Sequence, residues 1–230
     1  MLKNSNKFIE RKLSVILSAH NEGEYIEKTI NSFNKNNAPF ELVVVCDACS
    51  DKTYEVAKKY TPNVYNVNFC NVSKVRNFGE EKASGNILVF GDADTVVSNN
   101  YLEEILKSIT ENDYGCTKWT SESGSMLGRY ISWNTSIYNR NNIGGNFFVK
   151  KDIFTLVGGF DEEMKMGEDT DLGDRLRKIK AKHIFLKKCF IIPSERKFRE
   201  KGYIYTIFKS WINGFLYKFF RNYYNNKIAK

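Results

Sequence analysis

The chain is 230 residues long, 42% hydrophobic and 27% charged, with 3 Pro and 5 Cys. That composition excludes a disordered chain, a collagen-like repeat and a disulfide-stapled miniprotein, and it is rich enough in apolar residues for a sizeable core. The net charge of +8 is uneven: residues 171–230 carry 16 Lys or Arg against 4 Asp or Glu, a balance of +12, whereas residues 1–170 carry 19 against 23, a balance of −4. A basic C-terminal quarter suits an anionic partner such as a phosphorylated ligand, a nucleic acid or a membrane surface.

The chain opens Met1-Leu-Lys-Asn-Ser-Asn6, with no apolar run of the kind a secretory leader needs, and its cysteines (Cys46, Cys49, Cys70, Cys116, Cys189) are odd in number and scattered. Both features predict a reducing, cytoplasmic setting. The first element is the short apolar run Leu13 to Ser18, a buried strand that meets the loop His20-Asn-Glu-Gly23. Ile26, Ile30 and Phe33 then recur at spacings of four and three, which marks a helix with one apolar face. A second apolar run, Glu41 to Cys46, ends at Asp47-Ala-Cys-Ser-Asp51, whose Ser and Asp are good caps for a helix over Lys52 to Tyr60. Next come a strand over Asn63 to Phe69, a helix over Val72 to Ala83, the turn Ser84-Gly85 and a strand over Asn86 to Gly91. Apolar strands alternating with helices predict a parallel sheet covered on both faces, with its site at the carboxyl ends of the strands. His20 to Glu22, Asp47 and Asp92 to Asp94 all fall where a strand ends.

Beyond Asp94 the alternation loosens. The pattern gives a helix over Tyr101 to Ile109, a strand over Tyr114 to Thr120, an amphipathic or loop segment over Ser125 to Arg140, and a strand over Ile143 to Val149. A Gly158-Gly159 turn precedes the acidic cluster Glu168-Asp-Thr-Asp171 and a helix through Leu172, Leu176 and Ile179. No linker, repeat or low-complexity stretch interrupts this, so one domain in two halves is expected.

Asp92 and Asp94 lie two apart just after a strand, and such residues point the same way in extended chain. Paired oxygen ligands suit a hard cation, Mg²⁺ or Mn²⁺, that keeps waters and bridges phosphates. Glu168 and Asp169 form a second acidic pair at a helix start, where the dipole favours carboxylates, and can supply a base separate from the metal ligands. Lys74, Arg76, Arg196, Lys197 and Arg199 are candidate phosphate partners.

Five segments, in order, resemble the family 2 glycosyltransferases of GT-A fold. Ser14 to Glu22 resembles the family's first strand and Asn-Glu loop, and Val44 to Thr53 its Asp-Asp-x-Ser-x-Asp-x-Thr segment. Lys74 to Gly79 with Ala83-Ser-Gly85 resembles the Arg-Asn-x-Gly helix, and Phe90 to Asp94 the Asp-x-Asp motif. Gly158 to Glu162 followed by Gly167-Glu-Asp169 resembles the acceptor-side motif with its base. The resemblance covers residues 12–202. It implies a Rossmann-like, mainly parallel sheet flanked by helices, with residues 12–95 binding a UDP- or GDP-linked sugar, residues 96–200 facing the acceptor, and residues 201–230 as a basic amphipathic helical extension. It also implies inverting transfer of one sugar. Ala19, His20, Asn21, Glu22, Asp47, Arg76, Asn77, Asp92 and Ala93 would hold the donor; Asp94, with Asp92, would hold the divalent metal on its diphosphate. Asp169 would be the general base, Gly144, Gly145 and Glu168 would lie on the acceptor side, and Arg196 and Lys197 would meet phosphate. Cys46 stands where many members carry an Asp, which leaves base contacts to Asp47. The Gln-x-x-Arg-Trp motif of processive members is missing, and Ser194 to Lys197 resembles the Arg-rich segment of some non-processive relatives.

The spacing Cys46-x-x-Cys49 reads as thiols without a second close pair for zinc. His183, after the last helix, is a candidate for approach to the metal. Residues 203–220 set Ile204, Phe208, Trp211, Phe215 and Phe219 at helical spacings with Lys and Arg between. This is too polar to span a bilayer and suits an interfacial helix, a contact with the body, or a dimer contact. The expected partners are therefore a nucleotide-sugar, a glycan, lipid-linked or other hydroxyl acceptor, and a peripheral membrane surface at the inner face of the cell membrane, with no nucleic acid. Two other readings fit less of the chain. A nucleotidyltransferase wants a Gly-rich basic phosphate loop where Ala19-His-Asn-Glu22 stands, and a noncatalytic basic binding protein leaves Asp92, Asp94 and Asp169 without a role.

Overall fold

A computed structural model describes residues 11–139, 143–144, 146–164 and 167–196. The predicted amphipathic tail over residues 203–220 lies outside the described residues. The chain opens with β1 (Leu13–Ala19), α1 (Ile26–Asn34), β2 (Phe40–Asp47), α2 (Thr53–Lys58), β3 (Val64–Val67), α3 (Val72–Lys82) and β4 (Ile87–Asp92). There follow β5 (Thr95–Val97), α4 (Tyr101–Ser108), β6 (Tyr114–Trp119), α5 (Met126–Asn139), β7 (Phe147–Lys150), α6 (Lys151–Leu156), α7 (Glu168–Lys178) and β8 (His183–Pro193). One eight-stranded sheet runs in the order β3-β2-β1-β4-β7-β6-β8-β5.

The first four strands are parallel, with β1 between β2 and β4. Side chains alternate across the sheet. Leu13, Val15 and Leu17 therefore pack with Ile26, Ile30 and Phe33 of α1 and with Leu102 and Ile105 of α4. Ile16 faces the other way, into a layer with Val75 of α3, Phe154 of α6 and Leu172 and Leu176 of α7. Both faces of the sheet are covered, as the unbroken apolar runs require.

The direction of β7 departs from the expectation of a parallel sheet: β7 pairs antiparallel with β4 and with β6, while β6 and β8 are parallel. Apolar periodicity fixes which residues are buried and carries no information on strand direction. Three elements had no sequence signal. β5 is three residues long, α6 is six residues with no side-chain cap, and β8 is broken by Lys187 and Lys188. In β8 the pairing jumps from Thr117↔Leu186 to Lys118↔Phe190, so the charged residues sit in a bulge and the alternation is lost. The segment expected to be amphipathic or loop is the helix α5. No helix among the described residues is long and apolar enough to cross a membrane.

α3 approaches the sheet closely because Gly79 faces Ile16: a Cβ there would lie 2.4 Å from Ile16 Cγ2. In an exposed helix, Gly→Ala gains about 1 kcal/mol. Here we expect Gly79→Ala to lose about 1–3 kcal/mol through overpacking, read as a lower midpoint in urea unfolding.

Candidate active site

The parallel pairing Ser18↔Asp92, Ala19↔Cys46 and Asp47↔Val67 brings the ends of β1, β2, β3 and β4 to one edge. A cavity of about 580 Å³ opens there, lined by Ser18, Ala19, His20, Glu22, Asp47, Cys70, Asn71, Val72, Val75, Asp92, Ala93 and Asp94. Six of the nine expected donor-side residues are in that lining; Asn21, Arg76 and Asn77 are outside it, and Asp94, expected to hold the metal, is in it.

The wall after β1 is built by the segment after β2. Asn21 adopts a left-handed conformation (φ 54°), and its Oδ1 accepts from the Ser50 N–H (2.8 Å) and hydroxyl (3.3 Å). Asn is one of the few side chains that tolerates that backbone. The Glu22 N–H donates to Thr53 Oγ1 (2.8 Å) and the Gly23 N–H to Asp51 Oδ2 (2.9 Å). Asp51 and Thr53 thus hold the loop rather than face the cavity. Asp47 Oδ1 accepts from the N–H groups of Phe69 (2.7 Å) and Cys70 (3.1 Å), which fixes the carboxylate in the wall. His20 Nδ1 lies 2.7 Å from the Asp47 carbonyl oxygen. A carbonyl only accepts, so Nδ1 carries the proton and Nε2 of the neutral ring is an acceptor.

Asp92 ends β4, but Ala93 and Asp94 form a turn into β5. The two carboxylates share the cavity because the chain turns, a correction to the extended-chain reasoning. Ala93 is buried, its N–H donating to Ser18 O (3.1 Å) and its carbonyl accepting from Thr29 Oγ1 (2.9 Å). The turn is therefore clamped to β1 and α1 at its middle residue.

Behind Asp92, Arg76 of α3 is almost wholly buried. Its Nη2 lies 3.3 Å from Asp92 Oδ1, its Nη1 lies 2.9 Å from Glu168 Oε1, and the guanidinium carbon sits 5.3 Å from the centre of the Phe160 ring. Asn77, next along α3, accepts from the Phe160 N–H (2.9 Å) and donates to Phe160 O (2.9 Å) and Glu162 Oε1 (3.0 Å). Both residues thus hold the acceptor-motif segment and the Asp92 carboxylate in place from behind. Asn146, which the sequence reading did not single out, accepts from the Asp92 N–H (3.2 Å) and donates to Asp92 Oδ2 (3.3 Å). Its only signal was its place beside Gly144 and Gly145. Gly144 is half-buried before β7, and Gly145 lies outside the described residues.

Asp169, in the first turn of α7, accepts from the Thr170 N–H (2.7 Å) and hydroxyl (3.3 Å). Burial first, and the Glu168 charge second, push its carboxyl up to about 6, against the pull of Arg76 and of the Thr170 hydrogen bonds. Arg196 Nη2 binds Glu22 Oε1 (2.7 Å) and stands 4.0 Å from Asp94 Oδ2, with its guanidinium carbon 4.7 Å from the centre of the Tyr25 ring. Lys197 lies outside the described residues. His183 does not approach Asp94. It pairs with Tyr114 at the start of β6, the end of the sheet away from the cavity, where Nε2 is 3.8 Å from Cys116 Sγ. Cys46, Cys116 and Cys189 are buried, which raises each thiol to about 12, while Cys70 is exposed at the cavity wall.

The sequence profile described as glycosyl transferase family 2 matches residues 14–166, two thirds of the chain. The chain belongs to glycosyl transferase family 2. Glycosyltransferase GlyA of Streptococcus pneumoniae is 25% identical over 217 residues, covering 82% of this chain and 31% of the relative. Glycosyltransferase AglE of Haloferax volcanii is 29% identical over 177 residues, covering 68% of this chain and 58% of the relative. This family 2 chain thus spans about a third to somewhat over half of these relatives' lengths. Among solved structures, TarS of S. aureus with UDP-GlcNAc superposes with a TM-score of 0.65 at 22% identity, covering 78% of this chain and 58% of that one. A mannosyltransferase of Pyrobaculum calidifontis with GDP-Man and Mn²⁺ superposes with a TM-score of 0.61 at 18% identity, covering 77% and 56%. The fold is GT-A.

The family placement leaves the ionisation of Asp169 to be read from its surroundings. Its ordinary value is 3.8, and in the folded chain the group holds its proton up to about 6. Stability therefore falls as pH rises through that window, and above it the full penalty applies. We expect Asp169→Asn to be more stable than wild type above pH 6, by up to about 3 kcal/mol, and to show no such gain below 3.8. Urea unfolding at several pH values measures this.

Proposed function

We propose that this chain is an inverting glycosyltransferase that moves one sugar from a UDP- or GDP-linked donor to an acceptor hydroxyl, with Asp169 as general base. The observation that carries the reading is the division of carboxylates across Arg76. On one side Asp92 and Asp94 line the cavity, and on the other Asp169 sits in the first turn of α7 with its proton affinity raised. TarS with UDP-GlcNAc, and structures with GDP-Man or UDP together with Mn²⁺, share the fold and support a nucleotide-sugar donor.

Asp47, His20 and the backbone of residues 19–22 would receive the nucleoside, with Arg196 beside its diphosphate. Asp92 and Asp94 are hard oxygen donors on one cavity. No group of three or more His, Cys, Asp or Glu is arranged around a metal among the described residues. Two protein carboxylates suit Mg²⁺ or Mn²⁺, which fill their remaining positions with waters and phosphate oxygens. When bound there, the ion would neutralise charge on the departing diphosphate. The acceptor oxygen bonds to the anomeric carbon from the face opposite the diphosphate, the bond from that carbon to the phosphate oxygen breaks, and the hydroxyl proton passes to an Asp169 oxygen. The product is an inverted glycoside plus a nucleoside diphosphate. A base that titrates near 6 is ionised at neutral pH and still accepts a proton readily. The Cβ-free Gly159 and the Asn77 clamp would fix the Phe160–Glu162 segment beside the acceptor.

The missing Gln-x-x-Arg-Trp motif supports single transfer. The +12 balance of residues 171–230 supports a lipid-linked glycan acceptor at the inner face of the cell membrane.

Calorimetric titration with nucleoside diphosphates and their sugars, in Mn²⁺, Mg²⁺ or EDTA, tests the donor site. Binding should require metal, and Asp94→Ala should weaken it by at least about tenfold; no binding to the folded chain under any condition overturns the reading. Asp169→Asn should bind donor as wild type does and lose transfer by about 10²–10⁴-fold. The wild-type rate should rise with pH through about 6 and level off, whereas equal transfer by the two proteins removes the base assignment.

A further inference from the structure

Three consecutive residues after β8 each bind a different part of the site. The Ser194 N–H donates to Asp94 O (3.1 Å), on the turn after β4. Glu195, buried at 6% exposure, accepts through Oε1 from the Ser121 hydroxyl and from the Ser123 N–H (3.4 Å), on the loop after β6. Arg196 binds Glu22 on the loop after β1 and lies against the Tyr25 ring. The loop after β6 is in turn locked onto α5. A Cβ on Gly128 would lie 2.1 Å from Ser121 Oγ, and the Gly128 N–H donates to Ser125 Oγ (3.0 Å). α5 presents Met126, Tyr130 and Trp133 to solvent, at 90%, 54% and 62% exposure.

We infer that Ser194–Arg196 is a clasp that transmits occupancy of the donor cavity to the Ser121–Ser125 loop and α5, with Glu195 and Ser121 as positioning residues. The inference rests on the donor site proposed above. Arg196 meets Glu22 and Asp94 through Nη2, and the adjoining Nη1 N–H groups of its planar guanidinium are donors of the kind that a phosphate accepts. A nucleoside diphosphate engaging Nη1 adds a contact made only when residues 194–196 are seated. Residue 195 must be seated with 194 and 196, because the chain is continuous and its neighbours are both fixed. Glu195 then holds Ser121 and Ser123 at their observed positions. Coupling of this kind is reciprocal: breaking the far end of the clasp must weaken ligand binding at the near end by the same factor.

Ser121 is not among the residues lining the cavity, which makes it the test. In the full chain, the probe is UDP or GDP with Mn²⁺, whichever wild type binds more tightly. We expect the nucleotide to slow amide hydrogen exchange at residues 121–129 as well as at 19–25. Ser121→Ala should bind that nucleotide about fivefold or more weakly and lose the slowing at 121–129 while keeping it at 19–25. Ser121→Thr, which keeps the hydroxyl, should recover most of the affinity, and Glu195→Gln should behave as Ser121→Ala does. A residue that only stabilises its own loop would change exchange equally with and without nucleotide and leave the affinity alone. Nucleotide binding by Ser121→Ala within twofold of wild type, or no slowing at 121–129 in wild type, overturns the clasp and leaves the donor site standing. No nucleotide binding by wild type overturns both.

Discussion

Arg76 holds the two halves of the site at a fixed separation. Its guanidinium is nearly removed from solvent, and a lone charge in that position would cost several kcal/mol, so the carboxylates on either side are structural necessities before they are anything else. They come from different elements, Asp92 from the end of β4 and Glu168 from the start of α7, and Arg76 itself belongs to α3. One side chain therefore ties the turn that carries Asp94 to the turn that carries Asp169. Asn77, one residue on, fixes the backbone of Phe160, whose ring lies against the Arg76 guanidinium. α3 reaches this position because Gly79 lets it lie against Ile16 of β1. The chain of cause runs from a missing Cβ in the core to the spacing of carboxylates at the surface.

The cavity wall carries Glu22, Asp47, Asp92 and Asp94, four acids facing a ligand proposed to be anionic. Like charges on that scale repel unless each is answered. Asp47 is answered by two backbone N–H groups, Asp92 by Arg76 and Asn146, and Glu22 by Arg196. Asp94 has its cation at 4.0 Å, the same Arg196 that serves Glu22. Asp92 and Asp94 are hard oxygen donors on that wall, and a diphosphate is better accommodated beside them with a divalent ion than without one. Arg196 arrives at this point from the far end of the described chain, through β8. A strand whose alternation is broken by two lysines thereby brings a cation to a cavity whose lining residues all lie within the first hundred.

The first half of the fold was legible because its physics is local. An apolar run ending in polar residues gives a strand meeting a loop, and parallel strands put those loops on one edge; His20 to Glu22, Asp47 and Asp92 followed from that alone. The second half depends on pairings between distant segments. The antiparallel insertion of β7 between β4 and β6 places Asn146 against Asp92, and the bulge in β8 hides that strand while delivering Arg196 to Glu22. Neither contact has a periodicity to announce it. Asp94 was selected for a reason that the backbone does not follow, since a turn rather than an extended chain turns both carboxylates inward.

The first turn of α7 shows how position separates chemically identical groups. It holds three acids, Glu168, Asp169 and Asp171, all favoured by the same helix dipole. Two are neutralised by guanidinium groups: Glu168 by Arg76, and Asp171 by Arg175 at 2.7 Å, one turn along the helix. Asp169 receives hydrogen bonds from Thr170 and lies beside the Glu168 charge, so burial and repulsion prevail and its proton is held to about 6. The ion pair that makes Glu168 structural is therefore also what places a negative neighbour against Asp169. Sorting acids into one that stays charged and one that titrates near neutrality is how a folded chain assigns a base. Here the sorting is done by which of the three an arginine can reach. The stability given up by burying Asp169 is the expected counterpart of the base role proposed for it, because a carboxylate fully satisfied by the protein would have little affinity left for a proton from an acceptor.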